Sequence, residues 1–177
     1  PKARILHHLV TAPPVRPSAL RTLGALPNVF ALEAMIDDLA IRAGADPLDY
    51  RLSMLSDPRA RAVLKTVAKR ADWSQRGKGG EGQGLGLAFA RYKNTAAYAA
   101  VAVALRVDEQ VHLDHIWVVA DGGLVINPDG VRNQLEGGAI QGASWTLKEQ
   151  VTMLGQGVTS LDWDSYPILR FSEIPEI

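Results

Sequence analysis

The side chains best suited to chemistry in this sequence are amides, acids and histidines between positions 112 and 144. Gln134 and Glu136 lead, because they fall in the opening turns of a predicted helix whose neighbours are small (Gly137, Gly138, Ala139, Gly142, Ala143). A helix start offers free N–H groups and a partial positive charge, which suits a phosphate or other anion. A glutamine amide can donate to and accept from a ligand at once. Ordinary helix capping accounts for the same two residues, and at this level both readings stand. So many glycines are poor for isolated helicity; they make sense where a backbone or ligand packs close.

Other candidates carry less. His112 and His115 are close in sequence, but three apart on a predicted strand they point to opposite faces, so one metal ion would not take both. His7 and His8 lie in a ragged leading segment. Ser144 sits inside a helix rather than on a strand-to-helix elbow and has no histidine beside it, which argues against a nucleophile. The glycine cluster from Gly77 to Gly86 follows a helix and precedes a strand, the reverse of a dinucleotide-binding loop, and lacks Gly-Lys-Ser or Gly-Lys-Thr. A flexible linker is the expectation there.

The elements that must position these residues follow from pattern. After Pro27 and Asn28, a stripe of Phe30, Leu32, Met35, Ile36, Leu39, Ala40 and Ala43 predicts a helix, with Glu33, Asp37, Asp38 and Arg42 mostly opposite and Gly44 as its stop. Asp46-Pro47 and Asp57-Pro58 each read as an N-cap followed by proline at the first helical position. The second of these opens a helix through Val63, Leu64 and Val67. Strands are predicted at about 84–92, 96–107 and 111–120, joined by short polar turns into an antiparallel meander. Asn127-Pro128 then starts a helix over about 129–150, and a last strand is expected near 167–175. The class is α+β: N-terminal helices (1–73), a glycine-rich loop (74–83), then an antiparallel sheet with a long helix packed on it (84–177).

Composition narrows the function. The 177 residues balance 19 Lys plus Arg against 19 Asp plus Glu, so no net field favours nucleic acid or an anionic membrane. With no cysteine, the chain cannot itself hold an iron–sulfur cluster or a thiolate zinc site. No apolar run reaches the roughly 20 residues of a transmembrane helix. A soluble protein, cytoplasmic or periplasmic, is expected, with the compartment open. There is no initiator Met, and Ile174 to Ile177 is strand-like, so both ends read as cut.

One ordered set of motifs points further. The run from Asp121-Gly122-Gly123 through Asn127-Pro128, Gln134-Leu135-Glu136-Gly137 and Gln141-Gly142 resembles the cofactor-domain signature of molybdenum hydroxylases, the xanthine dehydrogenase and aldehyde oxidoreductase family. Leu20-Arg21-Thr22-Leu23-Gly24 stands where that family has Phe-Arg-Gly-Phe-Gly. The helix from Glu33, Gly44-Ala-Asp-Pro47, Arg51 and Trp163-Asp-Ser-Tyr-Pro167 continue the match, and the isoquinoline 1-oxidoreductase branch is the most similar.

The resemblance implies part of a molybdopterin-binding large subunit that hydroxylates an aldehyde or N-heterocycle with water-derived oxygen. It implies Gln134 and Arg21 as cofactor contacts. Leu23 would stand in the substrate pocket where the family has an aromatic ring, keeping apolar contact but not stacking. It implies the rest of the large subunit, an iron–sulfur small subunit and a small-molecule substrate as partners. No catalytic residue and no metal ligand is carried over. The glutamate base is expected beyond Ile177, Glu173 and Glu176 lying too early in the motif order. The family's Gly-Gln-Gly pterin loop is matched only in letters by Gly82-Gln83-Gly84, at the wrong place. The isolated chain is expected to be inactive. The alternative is a non-catalytic assembly module that uses the small-residue helix for packing.

Overall fold

The computed structural model describes residues 2, 4–15, 20–77 and 79–177. Three helices come first: α1 (Ala25–Arg42), α2 (Pro47–Met54) and α3 (Pro58–Arg70). A meander of β1 (Gln83–Tyr92), β2 (Ala97–Val107) and β3 (Val111–Asp121) follows, ordered β1-β2-β3 and antiparallel throughout. The long helix α4 (Pro128–Leu147) leads to a small hairpin, β4 (Met153–Leu154) and β5 (Gly157–Val158). The class is α+β, as the pattern of elements predicts.

The core lies between α3 and one face of the sheet. Ala60, Val63, Leu64, Val67, Ala68 and Ala71 recur at helical spacing and meet Leu87, Tyr98, Ala100 and Ala102. Full burial of a side chain such as Leu64 or Val67 contributes about 1.5–3 kcal/mol. The helix that covers the sheet is therefore α3, whereas α4 meets it along β3.

Both Asp-Pro signals cap as expected. Asp46 accepts from the N–H groups of Leu48 and Asp49 at 2.8 and 3.3 Å, and Asp57 from that of Arg59 at 2.9 Å. Each cap also binds the core: Asp46 receives the Trp73 indole N–H, and Asp57 the hydroxyl of buried Tyr98 at 2.7 Å.

Four expectations need correction. Helix α1 begins at Ala25, ahead of Pro27, because a proline in the first turn removes an N–H that has no helical partner anyway. Its predicted apolar stripe is largely exposed: Phe30 is 72% and Met35 53% accessible, while Glu33, expected opposite the core, is 7% accessible. The buried guanidinium of Arg51 decides this. Its Nε donates to Glu33 Oε2 at 2.9 Å and its Nη1 to Asp37 Oδ1 at 2.6 Å, which turns the acidic side of α1 inward.

The last predicted strand is not formed. Phe171–Glu173 is a 3-10 turn, and only Glu176 adds to the sheet, accepting from the Ile116 N–H at 2.9 Å on the β3 edge. Glu173 receives the Arg170 N–H at 2.8 Å and pairs with Lys148, which holds the tight turn. Finally, a bulge opposite Ala104 and Leu105 shifts the register of β3 at Asp114, pairing His112 with Arg106 and His115 with Ala104. The two histidines thus share a face rather than opposing each other.

The glycine-rich loop closes onto the sheet at its end. A Cβ on Gly82 (φ +77°) would stand 2.1 Å from the Val107 carbonyl oxygen, which only glycine avoids. The Gly82 oxygen accepts from the Val107 N–H at 2.5 Å, fixing the entry to β1. Lys78 of this loop lies outside the described residues.

Candidate functional site

Asp121 ends β3 and opens the loop to α4. Arg59 grips it with two prongs, Nε to Oδ2 and Nη2 to Oδ1, both at 2.7 Å, while Oδ1 also accepts the Gly123 N–H at 2.9 Å. These bonds hold the Asp121 carboxyl at about 2, with Arg59 the larger cause. Arg59 further donates to the Thr95 carbonyl and lies over the Tyr98 ring, 4.5 Å from its centroid. At the far end of the loop Asn127 caps α4, its Oδ1 accepting the Gly130 N–H at 2.9 Å.

In the first turn of α4 the cap takes the Gly130 N–H and Pro128 has none to offer, and Gln134 lies beyond that turn. Its setting is the helix side, not the helix start. Gln134, Gly137, Gly138 and Gln141 are spaced i, i+3, i+4, i+7 and so share one face. A Cβ added to Gly137 or Gly138 would meet nothing within 4 Å. The face is a strip of bare backbone with a glutamine at either end.

Arg21 joins the two glutamines. Its Nη1 donates to Gln141 Oε1 at 3.0 Å and its Nη2 to Gln134 Oε1 at 3.4 Å. The structure therefore brings together Arg21 and Gln134, which lie 113 positions apart in sequence. Arg21 sits in a turn closed by the Leu23 N–H on the Leu20 carbonyl (3.0 Å). Thr22 and Leu23 have φ of 79° and 52°. A positive φ at the third turn position is what a type II turn demands, and Gly suits it best. Thr22 holds the position where the resembling family has glycine. Leu23 is 66% exposed and projects from the same turn.

The other candidates are placed elsewhere. Glu136 faces away from Gln134, into a cavity of about 420 Å³ shared with Arg70, Arg132, Trp117 and Val118. Ser144 is buried, and its Oγ accepts the Leu169 N–H at 3.1 Å, a structural role. Glu173 is bound to Lys148 beyond the end of α4, roughly 20 Å along the helix axis from Gln134. Glu176 lies 3.5 Å from His115, which stacks on Trp117, and His112 bonds Asp108. Among the described residues no group of three or more His, Asp or Glu is arranged to hold a metal ion. Among them, too, no helix is long and apolar enough to cross a membrane.

Sequence reasoning missed Gln141 as a partner of Arg21, although its spacing from Gln134 across two glycines was visible. It also missed Arg59, for which no local signal exists.

Comparison with known proteins decides the family. The molybdopterin cofactor-binding domain family matches residues 31–175, most of the chain. The chain belongs to it. Relatives agree: a subunit of nicotinate dehydrogenase from Pseudomonas putida is 41% identical over 93% of this chain and 15% of its own length. The beta subunit of isoquinoline 1-oxidoreductase from Brevundimonas diminuta is 37% identical over 89% of this chain and 21% of its own. A membrane-bound aldehyde dehydrogenase (pyrroloquinoline-quinone) of Gluconacetobacter polyoxogenes is 22% identical over 99% and 25%. The chain spans a quarter or less of the length of these relatives.

Proposed function

We propose that this chain forms one wall of the molybdopterin site in the large subunit of a hydroxylase that acts on an aldehyde or N-heterocycle, taking oxygen from water. The observation that carries the reading is the shared face of Gln134 and Gln141 over Gly137 and Gly138, bound to Arg21. A flat, polar cofactor fits this face: bare helix backbone admits a close approach, and the Gln134 amide hydrogen-bonds its edge. The cofactor supplies the redox and oxygen-transfer chemistry when bound.

The chain's own residues bind and orient. Gln134 would hold the cofactor edge, and the Arg21 turn would line the same site. Leu23 offers apolar contact to substrate without the stacking of a ring, which favours small substrates over purine-like ones. Glu173 is tied to Lys148 far from Gln134 and Glu176 lies beside His115 on the β3 edge; the catalytic base on this reading comes from another part of the large subunit, and these 177 residues alone are inactive. These residues hold no cysteine for an iron–sulfur cluster, and on this reading electrons leave through an iron–sulfur partner subunit.

The alternative of an assembly module would use the same helix face as a packing surface. A surface of small residues for packing needs no paired amides fixed by an arginine, so the amides favour the cofactor. The test is molybdenum and pterin content of the full-length subunit with its partner, together with turnover of aldehydes and N-heterocycles in ¹⁸O-labelled water. Label in the product supports the reading, and a subunit free of pterin sinks it.

A further inference from the structure

We infer that Gln141 and Arg21 are positioning residues that fix the sense of the Gln134 amide; this rests on the reading of that face as a cofactor wall. The two glutamines are seven positions apart on α4, about 10.5 Å along the axis, too far to touch through their own tips without a bridge. One guanidinium supplies the bridge, with Nη1 on Gln141 Oε1 at 3.0 Å and Nη2 on Gln134 Oε1 at 3.4 Å. The shorter bond is to Gln141, so Gln141 anchors the arginine and the arginine reaches Gln134.

The chemistry of the bridge sets a direction. Arginine has five N–H donors and no acceptor, so each glutamine must turn its oxygen toward it. The Gln134 nitrogen is then left to donate over the strip of Gly137 and Gly138. The wall is thereby tuned to a ligand edge of oxygen or nitrogen acceptors rather than of N–H groups. A free glutamine would present either end and lose part of its binding to the wrong orientation. A lysine at position 21 would bring one point charge in place of the fork and would not span both amides.

The experiment uses the full-length subunit with its partner and reads pterin retained per polypeptide after gel filtration, by fluorescence of the oxidised pterin. Gln134→Leu, Gln141→Leu, the double variant, Gln141→Glu and Arg21→Met are compared, with melting temperatures taken alongside. Loss of one oriented hydrogen bond lowers retention about five- to tenfold in Gln141→Leu and Arg21→Met. Gln141→Glu keeps an acceptor for Arg21 and loses less pterin than Gln141→Leu. Gln141→Leu adds nothing to the loss already caused by Gln134→Leu, because it acts through that residue. If Gln134→Leu lowers retention while Gln141→Leu and Arg21→Met do not, or if the losses of the two glutamines add, the inference is overturned. If Gln134→Leu itself leaves retention unchanged, the cofactor-wall reading fails instead. Arg21 lies on an exposed turn, so its variant decides the matter should Gln141→Leu fold poorly.

Discussion

Arg59 and Asp121 form a two-pronged ion pair, both contacts at 2.7 Å, that ties the start of α3 to the end of β3. The pair sits where the core ends and the loop to α4 begins. The chain path from the sheet to Gln134 starts at this junction: the loop from Asp121 to Asn127, the Asn127 cap and then the helix.

This junction gives a pH dependence. Asp121 titrates at about 2 in the folded protein against an ordinary 3.8, so its folded-state value is depressed. Its contribution is complete above the unfolded value and is lost as pH falls through the window from about 4 to about 2. Asp121→Asn should flatten that part of the acid unfolding curve. Urea midpoints between pH 5 and pH 2 measure it; parallel curves for parent and variant contradict the assignment.

The buried pair of α1 and α2 gives a larger effect. Arg51 is 2% accessible, and Glu33 Oε2 accepts both its Nε and the Phe89 N–H, at 2.9 and 2.8 Å. Removing one partner strands the other, at a cost of about 3–5 kcal/mol for Arg51→Ala. Glu33→Gln keeps an oxygen for the Phe89 N–H and should lose less. Chemical denaturation of both variants checks the order.

The structure also explains what the sequence made readable. The stripe of α3 was plain because its buried face is wholly apolar at helical spacing. Helix α1 misled because its buried face is acidic, and only the distant Arg51 makes that tolerable. The bulge at Asp114 has no local sequence mark, so the faces of His112 and His115 were assigned by simple alternation. Among site residues, Gln134 already stood out by its place early in a glycine-rich helix, whereas Arg21 was recognisable only through motif resemblance, since nothing local predicts a contact 113 positions apart. The expected strand at 167–175 failed because the Glu173 side chain bonds back to Arg170, a local competition that apolar pattern does not reveal.

The strained turn beside Arg21 gives a third prediction. Thr22 has φ 79°, where a non-glycine residue costs roughly 1–2 kcal/mol, partly offset by the greater entropy that glycine loses on folding. Thr22→Gly should therefore stabilise the chain, by up to about 1 kcal/mol. A loss of stability measured by denaturation would show that the hydroxyl makes a bond that compensates the strain.

Glycine 137 separates stability from function. A methyl group there meets nothing within 4 Å, so Gly137→Ala should raise the stability of this chain by about 1 kcal/mol through helix propensity. In the full-length subunit the same methyl would stand on the proposed cofactor wall and lower pterin content. Pterin content unchanged in Gly137→Ala would contradict a cofactor wall at this glycine.

The most direct measurement is the pterin and molybdenum content of the full-length subunit carrying Gln134→Ala, purified with its partner alongside the parent protein. A cofactor wall built on Gln134 requires a loss of about fivefold or more with the melting temperature little changed, as expected for an exposed side chain that holds a ligand. Full occupancy in the variant would contradict it.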